Sequence, residues 1–511
     1  MQEQIPPILR PAEVLPVELS TLVARFSLEL ISGDATTAVT GISMNTNDLR
    51  EGDLFVAMPG LKTHGAIFAG KAIELGATAV ITDAAGLALM GEVGVPVARL
   101  EEPRLHLGDL AAFVYGNLPE KMPLLFGTTG TNGKTSTSYI LEAILQQLGQ
   151  VTGLTSTAER HIAGEVIVSR LTTPEPTEMH ALLARMREAK VNAVAIEVSA
   201  QALTQHRIDG IHFDVVGFTN LSHDHLDDYA DMAEYLVAKA GLFQPNRAKR
   251  GVVCLDSEYG DRFAALAKIP YVTVATGKPA DFTVTVTEEV PARTSFSVAT
   301  PSGEVIESWL PIIGAHMASN AGLAIAMLIE AGFEVNRIRE SVAGGIHAYL
   351  PGRTERVTGE TGPDVYVDFG HSPDAFLNTL RAVRKVTRGK VIMLFGADGD
   401  RDASKRPAMA KVSAENCDVL VITDHHPRFE DPASIREVLV EAARDAKPEL
   451  PVFDISPPEE AIRLAVSMAG VGDAVLWAGP GHQDYRDIRG VRTPYSARAL
   501  ARAALKEFGW S

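Results

Sequence analysis

The segment Gly127–Thr135, with the sequence GTTGTNGKT, constrains the fold of this chain more than any other part of it. It follows the apolar run at 123–126 and precedes a predicted helix. Glycines in such a turn let backbone amides surround phosphate oxygens, while Lys134 offsets phosphate charge and the Thr135 hydroxyl can bind Mg²⁺. The turn is not a strict GxxxxGK[ST] pattern, because Thr128 stands at the first glycine position. It predicts nucleotide binding, and the alternative is a structural glycine turn.

Two further apolar runs, at 193–196 and 215–219, predict buried strands. A strand, a glycine turn, a helix and more apolar strands are typical of a mainly parallel sheet with helices on both faces. Ligands of such sheets bind outside the carboxyl ends of the strands. We therefore expect Glu197 and residues 220–225 to lie beside the phosphate loop, where a carboxylate is a suitable Mg²⁺ ligand.

The length of 511 residues favours three domains, and the pattern of elements divides the chain accordingly. Residues 1–120 alternate short strands with helices, which predicts a small N-terminal α/β domain. Residues 121–348 carry the phosphate loop and predict a central P-loop-type ATPase domain with a mainly parallel sheet. Residues 349–511 predict a C-terminal Rossmann-like α/β domain. The expected fold class is therefore α/β, with three domains.

The predicted C-terminal domain contains three apolar runs, at 391–395, 419–423 and 474–478. Each is followed at once by a polar or glycine-rich loop. Because the carboxyl ends of parallel strands meet at one edge of a sheet, we expect these loops to face a single crevice.

The bulk composition excludes several classes of protein. The formal net charge is -17, which argues against a nucleic-acid or anionic-membrane surface. The chain has 2 cysteines, too few for a disulfide framework or a four-cysteine zinc site, and we expect both to be buried thiols. The start of the chain has no basic stretch followed by an apolar run, and no stretch has the length of a transmembrane helix. These features predict a cytoplasmic protein.

The string GTTGTNGKT resembles the phosphate loop of the Mur ligase superfamily, which also includes folylpolyglutamate synthase, and the resemblance extends over nearly the whole chain. It implies binding of ATP and of two Mg²⁺ ions. The implied ATP-binding residues lie in the loop and in three later motifs. They are Gly127, Thr128, Gly130, Thr131, Asn132, Gly133, Lys134, Thr135, Asn320, Arg353, Asp368 and His371.

The resemblance also implies the metal ligands Thr135, Glu197, His225 and Lys239, with Lys134, Lys239 and His225 as the catalytic residues. A lone histidine in a loop is more often a surface residue, so His225 rests on the resemblance of the segment 220–227. Alone, Lys239 would be a solvated helix lysine. In the family the matching lysine is carbamylated, which gives it a carboxylate-like group that supports the second Mg²⁺.

Other motifs resemble those that bind a UDP-linked precursor. They imply contacts from Thr46, Thr172, Thr173, Ser199, Gln205 and Arg207. A guanidinium such as that of Arg207 can hold a carboxylate through two hydrogen bonds. Ala200 and Gln201 depart from the serine and histidine more usual in the family, and polar surface loops are the alternative for the N-terminal contacts.

The C-terminal motifs imply an amino-acid site built from Arg401, His425, His426, Arg428, Gly479 and Gln483. Members of the family that add meso-diaminopimelate typically carry Asp-Asn-Pro-Arg and Gly-Lys-Gly-His-Glu. This chain keeps the arginine but replaces the acid, the asparagine and the glutamate by His425, His426 and Gln483. An ammonium group buried without a counter-charge is costly, so the substitutions predict altered specificity unless Asp424 and Asp484 turn inward. Diaminopimelate, lysine, ornithine, diaminobutyrate and homoserine all stay open.

Together these motifs imply an ATP-dependent amide-bond ligase of peptidoglycan precursor synthesis. The expected reaction adds the third amino acid to UDP-N-acetylmuramoyl-L-alanyl-D-glutamate through an acyl phosphate. The expected partners are this precursor and a free amino acid, without nucleic acid or membrane, and the enzyme is expected to be a monomer. A folylpolyglutamate synthase-like ligase and a catalytically inactive ATP-binding regulatory protein are the alternatives.

Overall fold

A computed structural model describes residues 8–60, 62–223 and 228–510 of the chain. Its main sheets have five, eleven and six strands, and each sheet is formed by one consecutive stretch of the chain. This is the mixed α/β architecture that the sequence predicts.

The N-terminal sheet has the strand order β2-β7-β6-β5-β4, in which β4 to β7 are parallel and β2 is antiparallel to β7. Strand β1 pairs with β3 in a separate ribbon. The elements of this region are β1 (Val17–Glu18), α1 (Leu19–Phe26), β2 (Glu29–Ser32), β3 (Ala38–Val39), β4 (Gly41–Ser43), β5 (Asp53–Ala57), α2 (Ala69–Glu74), β6 (Ala79–Thr82), α3 (Ala84–Met90), β7 (Val97–Arg99) and α4 (Pro103–Val114), with 3-10 turns at Thr46–Asp48, Gly65–Phe68 and Pro119–Lys121.

The central sheet is parallel over the neighbouring strands β9-β12-β8-β13-β14-β15-β16. Antiparallel strands extend it at both edges, which the expectation of a parallel sheet did not include. The elements are β8 (Leu124–Thr129), α5 (Lys134–Gln147), β9 (Thr152–Thr155), β10 (Glu159–Ile162), β11 (Glu165–Val168), α6 (Pro176–Glu188), β12 (Ala193–Glu197), α7 (Ala200–Thr204), β13 (Phe213–Phe218), α8 (Met232–Ala240), β14 (Ala248–Cys254), α9 (Gly260–Leu266), β15 (Tyr271–Thr276), β16 (Phe282–Val290), β17 (Arg293–Ala299), β18 (Val305–Leu310), α10 (Ala315–Glu330) and α11 (Val335–Val342), with a 3-10 turn at Gly241–Phe243.

Two apolar clusters cover the two faces of this sheet. One contains side chains of α5 and α10, and the other contains side chains of α6, α7 and α8. Helix α10 is apolar on almost its whole circumference because it is buried from Met317 to Leu328. The sheet is therefore held rigidly from both sides, and its carboxyl edge is left for the site.

The C-terminal sheet has the order β19-β20-β24-β21-β22-β23 and is parallel except for β19. The expected strands at 391–395 and 474–478 are β21 and β24, and the run at 419–423 forms β22. The elements are β19 (Glu355–Arg356), β20 (Asp364–Asp368), α12 (Pro373–Val386), β21 (Val391–Phe395), α13 (Arg406–Asn416), β22 (Val419–Ile422), α14 (Pro432–Ala446), β23 (Val452–Asp454), α15 (Pro458–Ser467), β24 (Ala474–Ala478), β25 (Tyr485–Ile488), β26 (Val491–Pro494) and α16 (Ala497–Glu507).

Both cysteines are buried free thiols, as the sequence analysis expects, and burial raises the pKa of each to about 12. Among the described residues, no helix has both the length and the apolar character needed to cross a membrane.

Candidate active site

The phosphate loop is shorter than the sequence predicts. Strand β8 continues to Thr129, because Thr129 and Thr128 still pair with β13 and β12. Thr128 is therefore fully buried in the sheet, and Gly127 packs against the ring of Phe213. The expectation that Gly127 and Thr128 belong to the turn is corrected: the turn begins at Gly130.

Glycine is required at both ends of this turn. Gly130 has φ +151°, and a Cβ there would overlap the hydroxyl of Thr219. Gly133 has φ +86° and immediately precedes α5. A Cβ at Gly133 would lie 2.7 Å from Oδ1 of Asn320. A side chain at either position would therefore displace a polar group of the site.

The turn is fixed to the loop that follows β13. The backbone nitrogens of Thr131 and Asn132 donate to the backbone and side-chain oxygens of Asn220, each at 2.9 Å. The Thr219 hydroxyl donates to the Asn132 carbonyl at 2.6 Å. The residues that follow β13 were predicted to lie beside the phosphate loop, and these hydrogen bonds hold Thr219 and Asn220 there.

Two lysines converge on the turn. Lys134 Nζ donates to the carbonyl oxygens of Gly130 at 3.0 Å and Thr131 at 2.9 Å. Lys239 Nζ donates to the same Gly130 oxygen at 2.8 Å and lies 4.3 Å from the ring centroid of Tyr235. Lys239 is only 1% exposed, so it is not the solvated helix lysine that its local sequence alone would suggest.

A carboxylate and a hydroxyl meet beside the lysines. The Thr135 hydroxyl donates to Glu197 Oε1 at 3.0 Å, and the Thr157 backbone nitrogen donates to Glu197 Oε2 at 2.5 Å. Arg353 approaches from the C-terminal region, and its Nη2 donates to Thr135 Oγ1 at 2.9 Å. Thr135 and Glu197 supply hard oxygen atoms, which are the ligands that Mg²⁺ prefers, so this pair fits a magnesium ion. His225 lies outside the described residues.

One cleft of about 490 Å³ lies between the central sheet and α12, and the phosphate loop forms part of its wall. Asn320 and Asp368 line it, as does His316, whose pKa burial lowers. Asp374 also lines it and joins the two regions, since its Oδ2 accepts from Asn132 Nδ2 at 3.3 Å. His316 and Asp374 were not predicted as site residues, because neither stands in a recognisable motif.

Asp368 organises the C-terminal side of this cleft. Its carboxylate accepts hydrogen bonds from the backbone nitrogens of Thr354 and Gly370, both at 2.7 Å. Its carbonyl oxygen accepts from the nitrogens of Gly479 and Gly481. Asp368 therefore holds together the loops that carry Arg353, His371 and Gly479.

A second cleft, of about 540 Å³, adjoins the phosphate loop on its other side. It brings together residues that are far apart in the sequence. The cleft is lined by residues that were predicted to contact the metal, the precursor or the amino acid: Thr135, Glu197, Thr172, Ser199, Gln205, Arg207, Arg401, His425, His426, Arg428, Gly479 and Gln483. Three residues predicted to bind ATP, Lys134, Arg353 and His371, line it as well.

Thr173 has a different position from its neighbour Thr172. It is completely buried, and its hydroxyl donates to the Glu197 carbonyl at 2.8 Å and accepts from Ser199 N at 3.1 Å. In this structure Thr173 therefore supports the turn after β12 from behind the wall of the cleft. Arg207, which was expected to meet an anionic group, is paired with Glu175 at 2.9 Å.

Thr46 lies on a 3-10 turn of the N-terminal region. Arg104 connects this region to Gln205 of the second cleft, since its Nη1 lies 3.8 Å from Met44 Sδ and its Nε donates to the Gln205 carbonyl at 2.7 Å. Arg170 pairs with Asp48 at 2.9 Å. The turn that carries Thr46 is thus attached to the central region beside Gln205.

At the C-terminal end of the second cleft, His426 accepts a hydrogen bond at Nδ1 from the Asp487 backbone nitrogen, at 2.9 Å. Its proton is therefore on Nε2, which donates to Gln483 Oε1 at 2.8 Å. Burial lowers the pKa of the neighbouring His425 to about 3, so the His425 imidazole is neutral at pH 7.

Asp398 is a site residue that the sequence analysis missed. It follows β21 at the carboxyl edge and lines the second cleft beside His425. Its position after a predicted strand was the available signal. That signal does not distinguish Asp398 from the acids at 400 and 402, which stand in the same loop. Asp424 and Asp484 do not turn inward: Asp424 binds Arg436 and Ser456, and Asp484 is 62% exposed beside Arg498.

A phosphate loop at the edge of one parallel sheet, facing polar loops at the edge of another, defines a nucleotide-dependent enzyme with substrates held between domains. Three family models match: "Mur ligase family, catalytic domain" at residues 38–115, "Mur ligase middle domain" at 128–328 and "Mur ligase, glutamate ligase domain" at 352–481. The chain therefore belongs to the Mur ligase family and is an ATP-dependent ligase.

Full-length relatives agree with the family models. The UDP-N-acetylmuramyl-tripeptide synthetase of Leifsonia xyli subsp. xyli is 52% identical over 99% of both chains. The UDP-N-acetylmuramoyl-L-alanyl-D-glutamate--2,6-diaminopimelate ligase of Streptomyces coelicolor is 40% identical over 98% of both. A solved structure of a ligase with that second name is 25% identical, covers 97% of this chain and 100% of its own, and has a TM-score of 0.66.

Proposed function

We propose that this chain uses ATP to join an amino acid, most simply a diamino acid, to the D-glutamyl carboxylate of UDP-N-acetylmuramoyl-L-alanyl-D-glutamate. The products are the UDP-muramoyl-tripeptide, ADP and phosphate. One observation carries the proposal: Lys134 and Glu197 of the central region share a cleft with Arg428 and Gln483 of the C-terminal region. The names of the relatives supply the precursor, and their full-length coverage argues for this substrate over a folate.

The chemistry requires activation of a carboxylate, which is a poor electrophile at neutral pH. Transfer of the γ-phosphoryl group of ATP gives an acyl phosphate, the amine attacks its carbonyl carbon, and phosphate leaves. Lys134 and Arg353 offset the negative charge on the transferred group. Mg²⁺, when bound, supplies further charge compensation, and Thr135 and Glu197 are the described residues that would hold it. Enclosure of the site between domains protects the acyl phosphate from water.

Lys239 is proposed to be carbamylated in the active enzyme and, with His225, to support a second Mg²⁺. The burial of its amine beside Gly130 favours this proposal, since a buried ammonium group is costly and a carbamate would make it a metal ligand. We assign the precursor to residues 1–120 together with the 172–207 side of the cleft, ATP to 121–348 and the amino acid to 349–511. The enzyme is proposed to act as a monomer in the cytoplasm.

The test is ligation with the purified UDP-muramoyl-dipeptide whose glutamyl carboxylate carries ¹⁸O. We expect amine-dependent release of ADP, a product heavier by one amino-acid residue, and one ¹⁸O atom in the released phosphate. A pteroylglutamate substrate serves as the matched alternative. Ligation of the folate instead, or phosphate release that does not depend on the amine, would contradict the proposed function.

A further inference from the structure

The carboxylate of Asp398 is held in the second cleft without a hydrogen-bond partner on one of its oxygens. Oδ1 is buried and accepts no hydrogen bond in the structure. Its closest ionic neighbours are His425 Nε2, 3.6 Å from Oδ1, and Arg428 Nη2, 3.8 Å from Oδ2. Both distances exceed that of an ordinary hydrogen bond. Burial of an acceptor oxygen without a hydrogen bond costs free energy, unless a bound ligand donates a hydrogen bond to it.

The surroundings keep Asp398 ionised. Burial raises the pKa of this carboxyl, but its interactions with His425, His426 and Arg428 outweigh burial and leave the pKa below its usual range. Arg428 is already engaged, because its Nη1 donates to the Gly399 carbonyl at 3.1 Å and its Nε lies 4.0 Å from Asp487.

Two of the other acids that line the cleft, Glu197 and Asp228, have hydrogen-bond partners. Glu197 accepts from Thr135 and Thr157, and Asp228 accepts from Gln201 Nε2 at 2.6 Å. Asp402 uses Oδ1 to accept from the backbone and hydroxyl of Ser404, although its Oδ2 is also buried without a hydrogen bond. Asp402 is therefore the one competitor of Asp398 among the described lining acids.

A metal ion is a poor occupant of this place. One ligand atom each from Asp398, His425 and His426 lie within 4.8 Å of one another, which is close enough to hold a cation. His426, however, accepts at Nδ1 and donates at Nε2, so neither nitrogen has a lone pair to offer. Gln483 Oε1 already accepts from His426, so it is a weaker partner for a cation than the unpartnered Oδ1 of Asp398.

We propose that Asp398 is the counter-ion for an ammonium group on the side chain of the incoming amino acid, which makes the acceptor a diamino acid. This inference rests on the proposed function and adds to it the specificity-determining residue. The ammonium would donate to Oδ1 between His425 and Arg428. Because Arg428 is flanked by Asp398 and Asp487, a distal carboxylate on the substrate is not required.

The test compares amino acids that differ only in the end of the side chain: lysine against norleucine, and ornithine against norvaline. A charge-assisted hydrogen bond to a buried carboxylate predicts a preference of about 10- to 100-fold in kcat/KM for the ammonium member of the better pair. Homoserine and meso-diaminopimelate complete the panel. Equal use of an ammonium substrate and of its partner that lacks the ammonium group, or a preference for homoserine, would overturn the inference.

Asp398→Asn is expected to remove this preference by lowering kcat/KM for the ammonium substrate by the same factor, while KM for ATP and for the UDP precursor stays unchanged. Asp402→Asn tests the competitor, and Asp484→Asn is the control outside the cleft. If a folded Asp398→Asn enzyme still prefers the ammonium substrate, Asp398 is not its counter-ion. The same conclusion follows if only Asp402→Asn loses that preference. The wild-type panel decides even if Asp398→Asn does not fold.

Different results would contradict the proposed function and the proposed role of Asp398. If no amino acid is joined to the UDP-muramoyl-dipeptide, the proposed function is wrong. If amino acids are joined without regard to a side-chain ammonium, only the role of Asp398 is wrong. Selection of meso-diaminopimelate that is lost in Asp398→Asn would support the ammonium contact.

Discussion

Lys134 and Lys239 donate to the same carbonyl oxygen, so the Gly130 peptide carries two cationic partners. Lys134→Ala removes the cation next to the transferred phosphoryl group without removing an apolar contact. We expect kcat to fall about 100- to 1000-fold, as for loss of one preorganised electrostatic group. ATP- and amine-dependent phosphate release measures it.

The matched control for that variant is Lys411→Ala, whose side chain is 63% exposed on α13. Its activity and thermal unfolding should equal those of the wild type. If Lys134→Ala is folded and turns over at a normal rate, the phosphate loop has been assigned incorrectly.

Lys239→Ala is expected to be inactive, because it removes the group proposed to become a carbamate. A short carboxylic acid such as acetate should restore part of the activity by entering the space left by the side chain. The measurement is the phosphate-release rate against acetate concentration, and acetate should not stimulate Lys134→Ala. An intact mass showing a free amine in active, CO₂-saturated enzyme would contradict the carbamate.

The sequence predicts the positions of some site residues but not of others. Glu197 follows an unmistakable apolar strand, so its position at the carboxyl edge was predictable. Thr173 was not, because its burial depends on a bond to the Glu197 carbonyl that only the folded turn creates. Asp398 was missed for a related reason: its open oxygen depends on where His425 and Arg428 lie in three dimensions.

Helix α5 and strand β10 are joined by a charged group inside the central domain. His161 on β10 lies 2.6 Å from Glu142 on α5 and 3.3 Å from Glu159. Burial opposes the charge on the imidazole, but hydrogen bonds to Glu142 and Glu159 outweigh it and raise the pKa to about 9. Between about pH 6.5 and pH 9, His161 is therefore protonated in the folded protein but neutral in the unfolded chain.

This proton makes stability depend on pH. The contribution of His161 is complete below about pH 6.5 and is lost as the pH rises through about 9. We expect His161→Gln to lower the free energy of unfolding by about 2–3 kcal/mol at pH 6 and by much less at pH 10. Urea unfolding at several pH values measures the difference from wild type.

His347→Gln is the control, since His347 is exposed and its difference from wild type should be small at every pH. A His161→Gln deficit that stays constant from pH 6 to pH 10 would show that the side chain acts by packing rather than by charge.

Helices and strands were predictable where the apolar pattern was continuous, as in β21, β24 and α5. The antiparallel edges of the central sheet were not. Strands β16, β17 and β18 alternate polar and apolar residues, since one face of each is partly exposed. They therefore lack the continuous apolar runs by which a buried parallel strand is predicted. The end of β8 was misplaced because its last residues, Gly-Thr-Thr, resemble a loop in sequence but are paired on both sides.

Arg353 joins the central and C-terminal domains across the site. Its guanidinium donates to Thr135 and lies 4.3 Å from the ring centroid of Phe369. We expect Arg353→Ala to reduce kcat about 100-fold, because it removes a cation from the reacting centre, while the unfolding temperature without nucleotide changes little. Arg502→Ala, on an exposed arginine paired with Glu355, is the control. A kcat within twofold of wild type would remove Arg353 from the reaction.

Gly352 lies near the start of the C-terminal domain, one residue before Arg353, and its backbone lies against that of Gly481 and His482 so closely that a Cβ at Gly352 would overlap both. Gly481 is equally confined, because a Cβ there would meet Phe369. Gly352 cannot acquire a side chain while the loop at 481–482 keeps its path, and Gly481 cannot do so while Phe369 keeps its position. During descent with modification, the connection between the domains and the loop at 479–482 can therefore change only together. A change in amino-acid specificity must therefore leave the contact between Gly352 and the loop at 479–482 unchanged. It can arise instead through neighbouring side chains such as His426 and Gln483.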